Sequence, residues 1–389
     1  MFRAFWVASL ASNFGTWIHE VGAGWLMATL DSSPEMVASV RTAMALPIVF
    51  LAIPAGVLAD RVDRRRLLLI TQLMLLCTTA TLSALTYSGV ITTWMLLSLT
   101  SMMGIGFVLH VPTWQATIPE LVPRSQMPRA VALGSVSFNL ARAVGPAVGG
   151  ILIASLGVGV AFAINAFSFA GVIAVLVFWK REKTESTRGL SFGLSLYQGL
   201  RYVKRSPSLR NVIVGVALFI IPGSALWALL PLVAKKQLGW DADGFGWMVA
   251  CVGIGAVAAA QIFPRLQSKL GADRSAAAAM TLFSCGMMLL SQSVHSVPVT
   301  IAMLTMGAGW MITLTTLNAT AQVTLPSRMR ARGMSVYLTT MAISMSLGSL
   351  IWGQVAGVVG LSTAQVIAAA TVVVTAAISL RFRLGQTLT

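Results

Sequence analysis

Gly56-Val57-Leu58-Ala59-Asp60-Arg61-Val62-Asp63-Arg64-Arg65-Arg66-Leu67 is a charged loop between two apolar stretches, Met36–Ala59 and Leu67–Ser88. A bilayer core about 30 Å thick needs about 20 apolar residues per helix, so each stretch reads as a membrane span. Gly56 lets neighbouring helices approach closely. Asp60 can accept bonds from a helix N-terminus or an arginine, and the arginines suit headgroups or carboxylates. An ordinary basic loop would explain the arginines, but not the spacing from Gly56 to Asp60.

The rest of the chain has the same character. Of 389 residues 57% are hydrophobic and 10% charged, with a mean hydropathy of +0.83. A soluble domain has about 25% charged residues, so a water-soluble protein is excluded. Cys77, Cys251 and Cys285 are scattered through apolar stretches and form neither a disulfide framework nor a metal-ligand spacing.

Cutting at charged or Pro/Gly/Ser-rich punctuation gives twelve spans. They are Phe5–Leu30, Met36–Ala59, Leu67–Ser88, Thr92–Ile118, Ala130–Leu156 and Val160–Trp179, then Asn211–Ala234, Gly244–Pro264, Ala276–Ser293, Val297–Thr324, Gly333–Val359 and Thr363–Leu380. The N-terminus has a signal-like start at Arg3, but its apolar pattern runs on to Leu30, too far for a signal peptide. With twelve spans both termini share a side, and that side carries 23 of the 27 Lys and Arg. The positive-inside rule makes it cytoplasmic, so the +16 net charge needs no nucleic acid. The expected location is the bacterial inner (cytoplasmic) membrane, multi-pass.

The organisation expected is a six-helix bundle over residues 1–180, a cytoplasmic linker over 181–209 and a second six-helix bundle over 210–389. Phe192, Leu196, Leu200 and Val203 recur at near-helical spacing in that linker. They suit a helix lying on the membrane surface; a disordered basic linker is the alternative. Shifting the chain by 203 residues superposes Met103-Gly104-x-Gly106 on Met306-Gly307-x-Gly309, and Gly145, Gly150 and Gly157 on Gly348, Gly353 and Gly360. Two parallel six-helix repeats are a transporter architecture, with substrate held between them near the midplane. Neither a nucleophile elbow, a zinc motif nor a Walker loop is present, so neither an enzyme nor an ATP-driven pump is expected, and no catalytic residue, metal or cofactor.

The loop resembles the signature of the major facilitator superfamily, G-x-L-a-D-r-x-g-r-k/r-x-x-l, and the resemblance extends over the whole chain. Asp63 departs from it, standing where the general pattern has glycine. The D-R-x-D-R-R variant is similar to the enterobactin-exporter-like branch, also called transmembrane secretion effectors. The resemblance implies an all-α membrane protein with twelve helices in two pseudo-symmetric bundles. It also implies a gating role for Gly56, Asp60, Arg61, Asp63, Arg64 and Arg65. Gly145-Pro146-Ala147-Val148-Gly149-Gly150 looks like the antiporter motif of the same superfamily, which points to export. On composition it reads equally as a tightly packed helix kinked at Pro146.

Ionisable groups inside spans are functional candidates by default. Glu20, Arg41, Arg142 and His110 are the candidates for proton coupling, with His19 beside them. The alternative is a static pair of Glu20 with an arginine, locking helices one, two and five. Asn13, Trp17, Gln115, Asn139 and Asn318 are candidate cavity residues. The function expected is proton-coupled export of a small amphipathic molecule (a siderophore, drug or metabolite) by a monomer. Its partners are then the small-molecule substrate, protons and the lipid bilayer. An importer or facilitator of the same fold, or a transport-inactive scaffold or sensor, stays open.

Overall fold

The computed structural model describes residues 1–179, 201, 203–326 and 330–382. Within the helices some side chains, those of Gly56, Asp60, Arg61 and Asn139 among them, also lie outside that description, as does the linker segment 180–200. The described residues form eleven long helices: α1 Phe2–Leu30, α2 Pro34–Arg61, α3 Arg64–Tyr87, α4 Thr93–Leu121, α5 Met127–Leu156, α6 Val158–Phe178, α7 Pro207–Leu232, α8 Ala242–Gln292, α9 Ser296–Thr324, α10 Arg330–Val359 and α11 Leu361–Ser379.

Eleven helices make twelve crossings because α8 is double. Its 51 residues would measure about 76 Å straight, over twice the bilayer core. The break is at Gly271, with φ 73° and ψ 175°, a conformation open to glycine and strained for other residues. Arg265, Lys269 and Arg274 flank it. Among the described residues nine helices are long and apolar enough to cross a membrane, or ten with α5, whose parts Val136–Arg142 and Val144–Leu156 meet at 41°. Pro146 accounts for that bend, since it removes one N–H and clashes one turn back. The polar Asn13, Thr16, His19 and Glu20 keep α1 out of the apolar set.

Helix contacts sort the chain into two compact units. The first holds Met1–Asp31, Ala43–Phe192 and Asp241–Trp247; the second holds Ser32–Thr42, Gly193–Trp240 and Met248–Thr389. Each therefore takes in a short helical segment from the other half of the sequence. In the first unit α1 packs on α5 and α6, and α3 packs on α4 and α6. Phe5, Leu68, Val172, Leu176 and Trp179 form one buried cluster there. In the second unit α7 packs on α10 and α11, matching α1 with α5 and α6 in the first.

The 203-residue repeat is a repeat of backbone contacts. A methyl placed on Gly104 of α4 would strike the Met44 carbonyl of α2, and one on Gly307 of α9 would strike the Val252 carbonyl of α8. Gly106 faces Leu75 of α3, and Gly309 faces Ala279 and Phe283 of the second arm of α8. In the first unit Gly150 lies against Gly246; in the second Gly353 lies against Pro34 and Ala38. Gly157 and Gly360, which open α6 and α11, share a conformation of φ 87°, ψ 163° and φ 83°, ψ 164°.

These contacts predict matched sensitivity. Gly104→Ala and Gly307→Ala should each destabilise the protein, by about 1–3 kcal/mol for overpacking. Gly134→Ala and Gly171→Ala, with open space around the added methyl, should be neutral or slightly stabilising. Thermal unfolding of the four purified variants, followed by size-exclusion chromatography, tests this ordering.

Candidate functional site

The charged loop does its visible work at helix ends. Asp63 is the N-cap of α3, where its Oδ1 accepts a 2.9 Å bond from the Arg66 N–H. An aspartate there satisfies one of the orphan donors of the first turn and complements the helix dipole. That is a physical reason for the departure from glycine. Arg64 pairs with Glu120 at the end of α4, Nη1 to Oε1 at 2.6 Å, with side chains 28% and 12% exposed. Arg65 donates from Nε to the Leu176 carbonyl at 2.8 Å and from Nη2 to the Val177 carbonyl at 2.7 Å. Those carbonyls lie in the last turn of α6, where the Leu176 carbonyl also accepts from the Trp179 N–H at 3.3 Å. The loop thus fastens α3, α4 and α6 together. The side chains of Gly56, Asp60 and Arg61, assigned to the same motif, lie outside the described residues.

Glu120 and the α6 carbonyls were missed from sequence. Glu120 had a signal: it is one of only 11 acidic residues, on the same face as the arginine-rich loop. The carbonyls had none, because any helix end offers them.

Along α1 and α5 the first unit gathers several candidates. Trp6 Nε1 donates to the Leu133 carbonyl at 2.9 Å, and Asn13 Nδ2 to Ser137 Oγ at 3.0 Å. Trp17 meets Phe138 edge-on at 6.2 Å, and the Arg142 guanidinium sits 5.9 Å from the Phe138 ring. A methyl on Gly145 would lie 2.8 Å from Trp17 Cβ, and one on Gly149 3.1 Å from the Ile18 Cα. Pro146 and Gly150 are buried. Small residues thus set the α1–α5 distance, and Glu20 and Arg142 are both half-buried members of this unit. Arg41 belongs to the second unit, its guanidinium 5.4 Å from the Trp227 ring.

The histidines differ. His110 Nδ1 and Gln72 Nε2 are 3.0 Å apart, and the ring stacks on Trp114 at 6.0 Å. His19 is buried against Phe162 at 4.8 Å, with no hydrogen-bond partner at either ring nitrogen. Gln115 is exposed. Asn318 Oδ1 accepts from Gln322, and its side chain bonds to Tyr337. The Asn139 side chain lies outside the described residues.

The Arg64–Glu120 pair can be tested alone. In a double-mutant cycle on thermal stability, Arg64→Ala and Glu120→Ala should couple by about 0.5–3 kcal/mol, as for partners in contact. Additive losses would mean that the pair contributes nothing.

Comparison with known proteins follows the same lines. The family described as transmembrane secretion effector matches residues 1–388. The chain is 25% identical to the staphyloferrin A transporter of Staphylococcus aureus, over 70% of this chain and 68% of that one. It is 26% identical to the multidrug efflux pump Tap of Mycobacterium bovis, over 64% of each chain. In fold it is similar to a mutant of the nucleoside transporter NupG, with a TM-score of 0.78 at 12% identity, covering 98% of this chain and 99% of that one. A bacterial homologue of the lysosomal transporter Spinster gives 0.74 at 14% identity, covering 100% and 98%. The chain belongs to the transmembrane secretion effector family of the major facilitator superfamily of transporters.

Proposed function

We propose that this protein exports a small amphipathic molecule across the bacterial inner membrane in exchange for protons, by alternating access. One observation supports the alternating part above the others. Each unit is completed by a helical segment from the other sequence half, Ser32–Thr42 in one and Asp241–Trp247 in the other. The 203-residue shift carries Ser32–Thr42 onto residues 235–245, overlapping the other segment, and it relates the glycines that seat them, Gly150 and Gly353. In this reading the paired segments form and break their seats together, and each cycle exposes the substrate to one side.

Names among the relatives support a solute of the siderophore or drug kind: a staphyloferrin A transporter, a macrolide efflux protein of Enterococcus faecalis and a multidrug efflux pump. The basic loops orient the chain with both termini in the cytoplasm. The bundles divide at the 181–209 linker, and the chain works as a monomer. Coupling falls to Glu20 of α1 with Arg142 of α5, since a carboxyl inside a span whose neighbouring helix carries an arginine can exchange a proton as solvent access alternates. His110 is the second candidate. A proton entering for each neutral solute expelled supplies about 2.3 kcal/mol per 100 mV, enough for a concentration ratio of about fifty.

In reconstituted vesicles carrying a pH gradient, with staphyloferrin A and a macrolide as first probes, Glu20→Gln should abolish uphill transport. Exchange down the solute's own gradient should survive. Uphill transport by Glu20→Gln would make Glu20 structural, while loss of both reactions would favour a static Glu20 pair. Uptake by the wild type would make it an importer, and no flux would leave the scaffold reading.

Asp60→Asn gives a second test. It should reach the membrane at normal levels and cut flux at least tenfold. Near-normal flux at equal expression would remove Asp60 from the gate.

A further inference from the structure

We propose that Arg41, Trp227 and Trp310 form a subsite in the second unit for the aromatic, anionic end of the substrate. This inference rests on the transporter reading and adds a ligand class to it.

The elements converge from four helical segments. The Arg41 guanidinium, on the Ser32–Thr42 segment of α2, lies 5.4 Å from the Trp227 ring of α7. Trp227 meets Trp310 of α9 edge-on, at 5.8 Å and 76°. Trp310 in turn lies 5.2 Å from Phe219 of α7 and 5.9 Å from Phe283 in the second arm of α8. Phe219 and Phe283 are fully buried and touch each other at 5.4 Å. Arg41, Trp227 and Trp310 are all partly exposed. The group therefore grades from a buried aromatic floor to an accessible edge that carries a cation.

Its orientation and depth suit a ligand site better than a lipid-facing belt. A methyl on Gly223 would lie 3.2 Å from the Trp310 ring, so Trp310 is turned toward α7. Trp310 is at the middle of α9, about 21 Å from either end, and Arg41 about 10 Å along α2. Aromatic belts occupy the interfaces, whereas intramembrane arginines mark substrate and ion pathways.

The chemistry selects the ligand. A guanidinium has five donors in a planar fork and can take a carboxylate or phenolate alongside an existing partner. Its place on Trp227 orients that fork. Edge-to-face tryptophans accept a flat ring. A cationic ligand would be repelled by Arg41, and spans seven to twelve carry no Asp or Glu at mid-depth to hold one. The fitting class is a planar aromatic acid, free or as the end of a larger molecule.

The test uses the full chain in lipid nanodiscs with salicylate and its uncharged isostere salicylamide as probes. Salicylate should bind saturably, at least tenfold more tightly than salicylamide. Arg41→Gln should abolish that preference, Arg41→Lys should retain part of it, and Trp310→Leu should weaken both probes by a similar factor. Chromatographic profile and thermal unfolding confirm that each variant folds. Salicylate bound no better than salicylamide, or a preference unchanged in Arg41→Gln, overturns the proposal. Efflux of fluorescein, Nile red and ethidium from expressing cells separates the two levels. Export of ethidium or Nile red alone, indifferent to Arg41, leaves a transporter and removes the anionic subsite. Efflux of none of the three counts against the transporter reading and takes the subsite with it.

Discussion

Inside a bilayer, water no longer drives helices together, because lipid tails are as apolar as leucine. What remains is close packing, and in this protein several of the close approaches are glycine against backbone. The obstacles at Gly104 and Gly307 are the carbonyl oxygens of Met44 and Val252. A side chain can rotate away from a newcomer; a helical carbonyl cannot. Gly150 is stricter still, since its neighbour Gly246 is itself bare backbone. The internal repeat is therefore clearest where substitution is least tolerable, and fades on faces where a side chain has somewhere to go.

The same constraint governs the charges. Polar groups at helix ends cannot be left bare near the membrane, and the loop after α2 answers this with Asp63 on one helix start, Arg65 on one helix finish and Arg64 on Glu120. These residues hold α3, α4 and α6 in place whatever further role the motif has in gating. Loss of transport on changing Arg64 or Arg65 would consequently mix two effects.

The sequence made legible those features that repeat or that alternate with the membrane. Apolar length gave the twelve crossings, including the two arms that meet at the kink at Gly271. Periodicity could not show how tight that connection is, because the turn is made at a single positive-φ residue, Gly271. The 203-residue offset proved to be a packing offset. Individual partners were less accessible. The reach of Arg65 to carbonyls depends on backbone atoms that every residue has. The grouping of Arg41 with Trp227 depends on α2 contributing its first turns to the second unit, whereas sequence adjacency suggested a place beside Glu20 and Arg142.

The two halves have kept a common geometry while dividing the chemistry. At the position equivalent to Gly149 the second half has Trp352, whose Nε1 donates to the Ile221 carbonyl of α7 at 2.8 Å. Gly149 sets the α1–α5 approach by leaving room for the Ile18 backbone, and Trp352 ties α10 to α7 with a hydrogen bond. Equivalent helices are thus held together by opposite means, one by absence of a side chain and one by the largest available. Titratable groups follow the same division, with Glu20, Arg142, His19 and His110 in the first unit and an aromatic cluster edged by Arg41 in the second. A repeat that preserves backbone contacts leaves the side chains outside those contacts free to diverge. On the proposed reading, the first unit serves charge movement and the second recognition.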